Sequence, residues 1–165
     1  MFFSKKKKIE VFAPISGEVI KIEDVQDPVF ATKMLGDGLA IIPKSSKEAT
    51  FIAPISGILT TMMDAGHAYG ITEKSTKVEC LLHIGMDTVE LNGQGFNVQV
   101  KKADKITAKD PLVKVNLAAI KKNNKDTTTP IVFTNETIGE YGYKISILKF
   151  GKVQQGEVIA ELVKE

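Results

Sequence analysis

The chain has 165 residues, enough for one domain with a substantial core, and its composition is ordinary for a globular protein. The net charge is only +2 and all 22 basic residues are lysine, which argues against nucleic-acid binding because the forked arginine donors of base readout are missing. The single cysteine, Cys80, excludes a disulfide framework and a thiolate metal cluster, and it is interpreted as a small core residue.

The N-terminal stretch MFFSKKKKIE lacks the apolar segment of a signal peptide, and no run approaches the length of a membrane span. We therefore expect a cytoplasmic protein without a transmembrane segment. Residues 1–8 are expected to form a flexible terminus, and residues 9–165 a single domain. The polar stretch KKNNKDTTT at 121–129 is short and is interpreted as a surface loop.

Almost every periodic segment has the pattern of a β-strand, because short Val- and Ile-rich runs alternate with Gly, Pro, Asp and Ser. Helical periodicity is confined to one or two turns near 29–34 and 117–122, and the GDG at 36–38 is interpreted as a turn. This pattern predicts an all-β antiparallel sandwich or barrel with a few short helical turns. The predicted strands are 9–13, 18–22, 39–42, 58–63, 96–101, 112–117, 131–134, 144–150 and 158–163.

Two segments of the chain are repeated. APISGEVIKI at 13–22 recurs as APISGILTTM at 53–62, and KITAKDPLVKV at 105–115 is more weakly similar to KVQQGEVIAEL at 152–162. The repeats predict two related half-units that pack face to face and bury a common core.

The chain has two histidines, and the patterns around them point to chemistry. In the hydrophobic run ECLLHIGMD, strand alternation places Cys80 and Leu82 on one face and His83 on the other. A hairpin joined by the polar stretch 72–77 would bring His67 beside His83, and Gly85 would let a reacting group approach the ring. Two imidazoles on one face can bind a metal, act as acid and base, or accept and stabilise a phosphoryl group.

Two alternative functions are open at this point. A zinc-dependent hydrolase is suggested by HIGMD at 83–87, but a catalytic zinc usually takes three protein ligands and the chain has no third histidine. Zinc at the His67 and His83 pair would need a carboxylate from a partner. The second alternative is a regulatory module that docks to other proteins according to the phosphorylation state of a histidine.

Five runs resemble the glucose-type IIA component of the bacterial phosphoenolpyruvate:sugar phosphotransferase system. In chain order they are DPVFATKMLGDGLAI, APISG, GHAYGI, LLHIGMDTVELNGQGF and TPIVFTN, within a similarity that covers about residues 9–163. The resemblance implies an antiparallel β-sandwich with Greek-key and jelly-roll elements. It also implies a phosphotransferase that needs no cofactor, takes a phosphoryl group from HPr onto a histidine, and passes it to the IIB domain of a sugar permease (IIBC).

The resemblance further implies roles for individual residues. The phospho-acceptor falls on His83, and the histidine that holds the phosphoryl oxygens falls on His67. Many relatives carry a threonine two residues before that second histidine, where this chain has Ala65, and the usual glycines of two later turns are replaced by Ala103 and Lys109. The acids and apolar residues implied to dock partners are Asp27, Asp87, Val29, Phe30, Met34, Leu35, Met63 and Val89.

Overall fold

Turn-forming residues divide the chain into short strands that pair antiparallel throughout. The computed structural model describes residues 8–164, and the predicted antiparallel sandwich with few short helices is confirmed. The strands are β1 (Lys8–Phe12), β2 (Gly17–Lys21), β3 (Gly36–Pro43), β4 (Glu48–Ile52), β5 (Gly57–Met62), β6 (Ala68–Thr72), β7 (Glu79–His83), β8 (Phe96–Val98), β9 (Lys105–Ile106), β10 (Pro111–Asn116), β11 (Thr129–Thr134), β12 (Tyr143–Ile147), β13 (Gly151–Val153) and β14 (Val158–Lys164).

Short helical segments fill some of the connections. Helix α1 (Pro28–Ala31) begins with a proline, and the carboxylate of Asp27 accepts a hydrogen bond of 2.9 Å from a backbone N–H in its first turn. Helix α2 (Leu117–Lys122) is capped in the same way by Asn116, so both predicted helical segments are confirmed. Further single turns lie at Ile22–Asp24, Thr88–Leu91 and Glu136–Glu140. No helix within residues 8–164 combines the length and the apolar character that crossing a membrane requires.

Two sequence-based predictions about local structure are wrong. The GDG at 36–38 lies inside β3, because its glycines allow the backbone of β11 to come close: a Cβ at Gly36 would lie 1.9 Å from the carbonyl oxygen of Phe133. The N-terminal boundary also differs, since Lys8 belongs to β1 and pairs with Val163. The rest of the predicted flexible terminus, residues 1–7, lies outside the described residues.

The sheets of the described chain have a nearly symmetric order. An eight-stranded sheet runs β13-β2-β3-β11-β7-β6-β5-β9, and two three-stranded sheets have the orders β1-β14-β12 and β4-β10-β8. The strand order of the large sheet is the same from either edge when equivalent strands are matched. The hairpin β2–β3 matches β5–β6, β13 matches β9, and β11 matches β7. The predicted half-units therefore exist, but both contribute to this one sheet.

The first repeated segments contact each other across the centre of this arrangement. The N–H of Phe12 donates to the carbonyl oxygen of Pro54 (2.9 Å), and the N–H of Ile52 donates reciprocally to that of Pro14 (3.0 Å). The weaker repeat is equivalent as well, because the N–H groups that follow β9 and β13 donate to Ala53 and Ala13 in matching positions. The internal repeats are therefore confirmed as structural equivalents.

The symmetry also reveals a repeat that the sequence reasoning missed. GDGLAI at 36–41 and GHAYGI at 66–71 occupy equivalent places, because β3 and β6 pair with β2 and β5 in matching register at their C-terminal ends. His67 thus corresponds to Asp37 in the other half. Few residues are identical between the two segments, so the similarity becomes visible only once the strand pairing is known.

Ala103 is a non-glycine residue in a left-handed backbone conformation, with φ of 79°. A residue with a Cβ loses about 1–2 kcal/mol in this region, so we expect Ala103→Gly to raise the free energy of unfolding by about 1 kcal/mol. Urea denaturation measures the change. The control is Ala119→Gly in helix α2, which is expected to lower stability by about 0.5–1 kcal/mol. A destabilised Ala103→Gly variant would contradict the assignment of strain to this turn.

Candidate functional site

The β6–β7 hairpin brings the two histidines together. The strands pair with Ala68 opposite His83, and the N–H of Ile84 donates to the carbonyl oxygen of His67 (2.7 Å). The imidazole centroids lie 5.4 Å apart, with an edge-to-face angle of 75°. The predicted juxtaposition is confirmed, although His67 lies just before β6 and is not itself the register partner of His83.

Strand alternation positions the His83 side chain as the sequence predicts. Cys80 and Leu82 are each 1% exposed and point into the main core between the sheets, whereas Leu81 and His83 are partly exposed on the other face. On that face, the ring of Phe30 packs against His83 with a centroid distance of 5.2 Å. The imidazole is therefore held between helix α1 and His67.

A short hydrogen bond determines which nitrogen of His83 keeps a free lone pair. Its Nδ1 lies 2.7 Å from the carbonyl oxygen of Gly85, and a carbonyl only accepts, so Nδ1 carries the proton. In the neutral ring Nε2 then keeps its lone pair. Gly85 has φ of 74°, and a Cβ there would lie 2.6 Å from Cγ2 of Thr88 and 2.9 Å from the carbonyl oxygen of Asp126. Glycine is thus required where the acceptor carbonyl turns towards the imidazole.

Burial keeps both imidazoles neutral. It lowers the pKa of His83, and the hydrogen bond to Gly85 and the charges of Asp27 and Asp87 offset this only in part. Burial also lowers the pKa of His67, and the neighbouring His83 lowers it further. At neutral pH both rings are therefore in the form that has a free nitrogen lone pair.

His67 is much less accessible than His83. It is only 3% exposed, and its Nδ1 is buried without a hydrogen bond to any described protein atom. Ala65, two residues earlier, offers no hydroxyl group to this nitrogen. Tyr69, in the first part of β6, has a buried hydroxyl that also lacks a hydrogen bond to any described protein atom. Burial raises the pKa of this phenol.

An apolar pocket of about 390 Å³ opens in front of the two imidazoles. Of the predicted docking residues, it brings together Phe30, Leu35, Met63 and Val89, whereas Val29 and Met34 are exposed but do not line it. Phe30 differs from the expected rim residue because it is only 6% exposed and lies beneath the rim. The predicted acids Asp27 and Asp87 line an adjacent cavity of about 450 Å³.

The side chains of the pocket do not form a complete metal site. Within residues 8–164 no group of three or more His, Cys, Asp or Glu side chains is arranged to hold a metal ion. The His67 and His83 pair supplies two ligands at most, one short of the three that a catalytic zinc usually takes. The structure therefore gives no support to the zinc-hydrolase alternative, and a zinc completed by a partner's carboxylate stays untested.

The chain is similar in sequence and structure to known proteins. Residues 9–138, most of the chain, match the family model of the phosphoenolpyruvate-dependent sugar phosphotransferase system, EIIA 1. The chain belongs to this family. The resemblance inferred from the sequence motifs is thereby confirmed, and the EIIA protein is a phosphoryl carrier of that system.

Individual relatives of the EIIA protein match over most of its length. The glucose-specific EIIA component of Mycoplasma capricolum subsp. capricolum is 45% identical over 161 residues, which are 98% of each chain. The glucose-specific EIICBA component of Staphylococcus carnosus is 41% identical over 149 residues, which are 90% of this chain and 21% of that protein. The solved glucose permease IIA from Mycoplasma capricolum is 43% identical, with a TM-score of 0.86 and coverage of 98% and 99%.

Two groups at the site of the EIIA protein escaped sequence reasoning. The sequence does not show that the carbonyl of Gly85 is the partner of His83, because a glycine there indicates only an open backbone position. The Tyr69 hydroxyl was also missed, although its place two residues after His67 would have indicated a shared face of a strand.

The lowered histidine pKa values make the stability of the EIIA protein depend on pH. Below about pH 6.5 an unfolded histidine binds a proton that the folded one resists, so the unfolded state binds more protons and stability rises with pH. We expect the free energy of unfolding to decrease as the pH falls from about 7.5 to about 5.5. Urea denaturation should show a weaker decrease in the His67→Gln/His83→Gln double variant. Equal pH dependence in both proteins would contradict this origin.

Proposed function

We propose that the EIIA protein accepts a phosphoryl group from HPr on Nε2 of His83 and passes it to the IIB domain of a sugar permease (IIBC). The observation that carries this proposal is the hydrogen bond from Nδ1 of His83 to Gly85, which leaves the Nε2 lone pair as the nucleophile beside His67. The relatives named above support a glucose permease as the first system to test.

The transfer steps need positioning and charge stabilisation more than further covalent chemistry. The Nε2 lone pair of His83 attacks the phosphorus, a P–N bond forms, and the bond between phosphorus and the donor atom of HPr breaks. The ring N–H of His67 donates to a phosphoryl oxygen, while the apolar pocket excludes water and slows hydrolysis of the P–N bond. Transfer to the IIB domain breaks the P–N bond and returns the lone pair to Nε2.

The proposed docking surface is the apolar rim of the pocket with its neighbouring acids. Val89, Met63 and Leu35 are 50%, 45% and 42% exposed, an unusual density of large apolar side chains for a surface without a partner. Asp27 and Asp87 add negative charge beside it, which suits a partner with an apolar patch and basic side chains. HPr and the IIB domain would use this surface in turn, in the cytoplasm. The fusion named EIICBA supports IIB as the recipient.

Reversing one of the acidic charges should slow association with HPr. We expect Asp87→Lys to lower the apparent association rate about tenfold at low salt, with a smaller effect at high salt, because charges at the edge of an interface act mainly on encounter. Stopped-flow phosphorylation at several salt concentrations measures this. Glu10→Lys, on β1 in a different sheet, makes the same charge change as a control. Equal rates for both variants at all salt concentrations would contradict the role of Asp87.

The proposed function is tested by reconstitution. The EIIA protein is incubated with phosphoenolpyruvate, enzyme I and HPr, and its intact mass is recorded before and after acid treatment. We expect one acid-labile phosphoryl group, which leaves when a IIB domain and sugar are added. An unchanged mass, or a phosphoryl group that IIB does not remove, would refute the proposal.

A further inference from the structure

Within residues 8–164, two buried side-chain polar atoms have no hydrogen-bond partner in the protein: Nδ1 of His67 and the hydroxyl oxygen of Tyr69. The two residues are 3% and 1% exposed. Leaving such a buried group unpaired is costly, so two of them two residues apart in the chain require an explanation. The two groups are complementary, because a phenol donates a hydrogen bond and a neutral imidazole nitrogen accepts one.

The Tyr69 hydroxyl reaches the backbone that leads into His67. It lies 3.5 Å from the point where Gly66 would carry a Cβ, and Gly66 is bonded directly to His67. Gly66 has φ of 87°, and Cγ2 of Val98 lies 2.4 Å from the same point, so a side chain at position 66 would not fit. The absence of a side chain at Gly66 therefore leaves room for the hydroxyl beside the backbone that precedes His67.

The internal repeat supplies an independent comparison. In the equivalent segment GDGLAI, Asp37 stands where His67 stands in GHAYGI, and Leu39 stands where Tyr69 stands. Both tyrosine and leucine fill the core at this position, since Leu39 is 0% exposed. The half of the sheet that carries the histidine is therefore also the half that carries the phenol.

We propose that one bound water, which accepts a hydrogen bond from the Tyr69 hydroxyl and donates one to Nδ1 of His67, keeps the His67 proton on Nε2. This inference rests on the proposed function, in which an N–H of His67 must meet a phosphoryl oxygen held on His83. Tyr69 is thus a positioning residue, which sets the tautomer of His67 without touching the phosphoryl group. It fills a role that Ala65, with no hydroxyl, cannot fill.

The test is the tautomer of His67 in wild type and Tyr69→Phe, measured on the unphosphorylated protein by long-range ¹⁵N–¹H NMR of the imidazoles. In the wild type we expect the proton on Nε2, and in Tyr69→Phe a mixture of both tautomers. Passage of the phosphoryl group to IIB should slow about tenfold in Tyr69→Phe with little change in KM, because the donor is present in only part of the molecules. Tyr143→Phe is the matched control, since Tyr143 is also 1% exposed but lies on β12 in another sheet.

The outcomes separate the two proposals. The same His67 tautomer in wild type and Tyr69→Phe would overturn the role of Tyr69, whatever the transfer rates are. An increased stability of Tyr69→Phe in urea would do so as well, because removing a truly unpaired buried hydroxyl is favourable. A tautomer that responds to Tyr69→Phe in a protein that accepts no phosphate would support the hydrogen bond and refute the carrier mechanism.

Discussion

His83→Ala is expected to reduce phosphate uptake from HPr to background. The substitution removes the Nε2 lone pair, and His67 is too deeply buried to replace it, with 3% of its surface exposed. The fold should persist, because His83 ends β7 and is partly exposed. Intact mass after incubation with phosphoenolpyruvate, enzyme I and HPr is the measurement.

A matched control for this prediction lies on the same strand. Glu79 is on the same face of β7 as His83 and is also partly exposed, so Glu79→Ala should take up phosphate like the wild type. Uptake of an acid-labile phosphoryl group by His83→Ala would assign the acceptor to another side chain. His67 would then be the first to examine.

His67→Gln is expected to take up phosphate on His83 and to pass it on about a hundredfold more slowly. The glutamine amide still donates an N–H to a phosphoryl oxygen as the group arrives, but this flexible side chain does not hold the donor as rigidly as the imidazole does when the bond to the recipient forms. Loss of one group that stabilises developing charge typically costs about 10²–10³ in rate. Single-turnover transfer from the phosphorylated variant to a IIB domain measures the effect.

The companion variant is His67→Ala, which removes the ring N–H without a substitute. It should take up phosphate more slowly than His67→Gln, because nothing then holds the phosphoryl oxygens as the group arrives. Sugar phosphorylation at the wild-type rate by His67→Gln would show that the transfer does not need the imidazole of His67.

The strand pattern was sufficient to predict the face on which His83 lies. Period-two alternation through Cys80 and Leu82 is a local property, and both side chains are buried as expected. The proximity of His67 to His83 also followed from local information, because a hairpin brings together residues that are close in sequence. The register of the β6–β7 hairpin could not be predicted, because the loop length does not show whether Ala68 or His67 lies opposite His83.

Features that depend on distant partners could not be predicted. The two-residue strand β9 and the three-residue β13 exist through pairing with β5 and β2, and their own sequences carry little pattern. The GDG at 36–38 resembles a turn until the backbone of β11 is known to pass within contact distance. The burial of Phe30 against the His83 ring likewise depends on where helix α1 meets the sheet.

The equivalence of the two halves of the large sheet has a consequence for the origin of the chemistry. Val132 in β11 pairs with Gly38 as His83 in β7 pairs with Ala68, so the counterpart of the proposed acceptor imidazole is a 1% exposed valine. The chemistry proposed for one half therefore depends on its side chains and not on a strand arrangement that only this half has. The half that carries Val132 is thus an internal comparison for the half that carries His83, with equivalent strand pairing and no imidazole at this position.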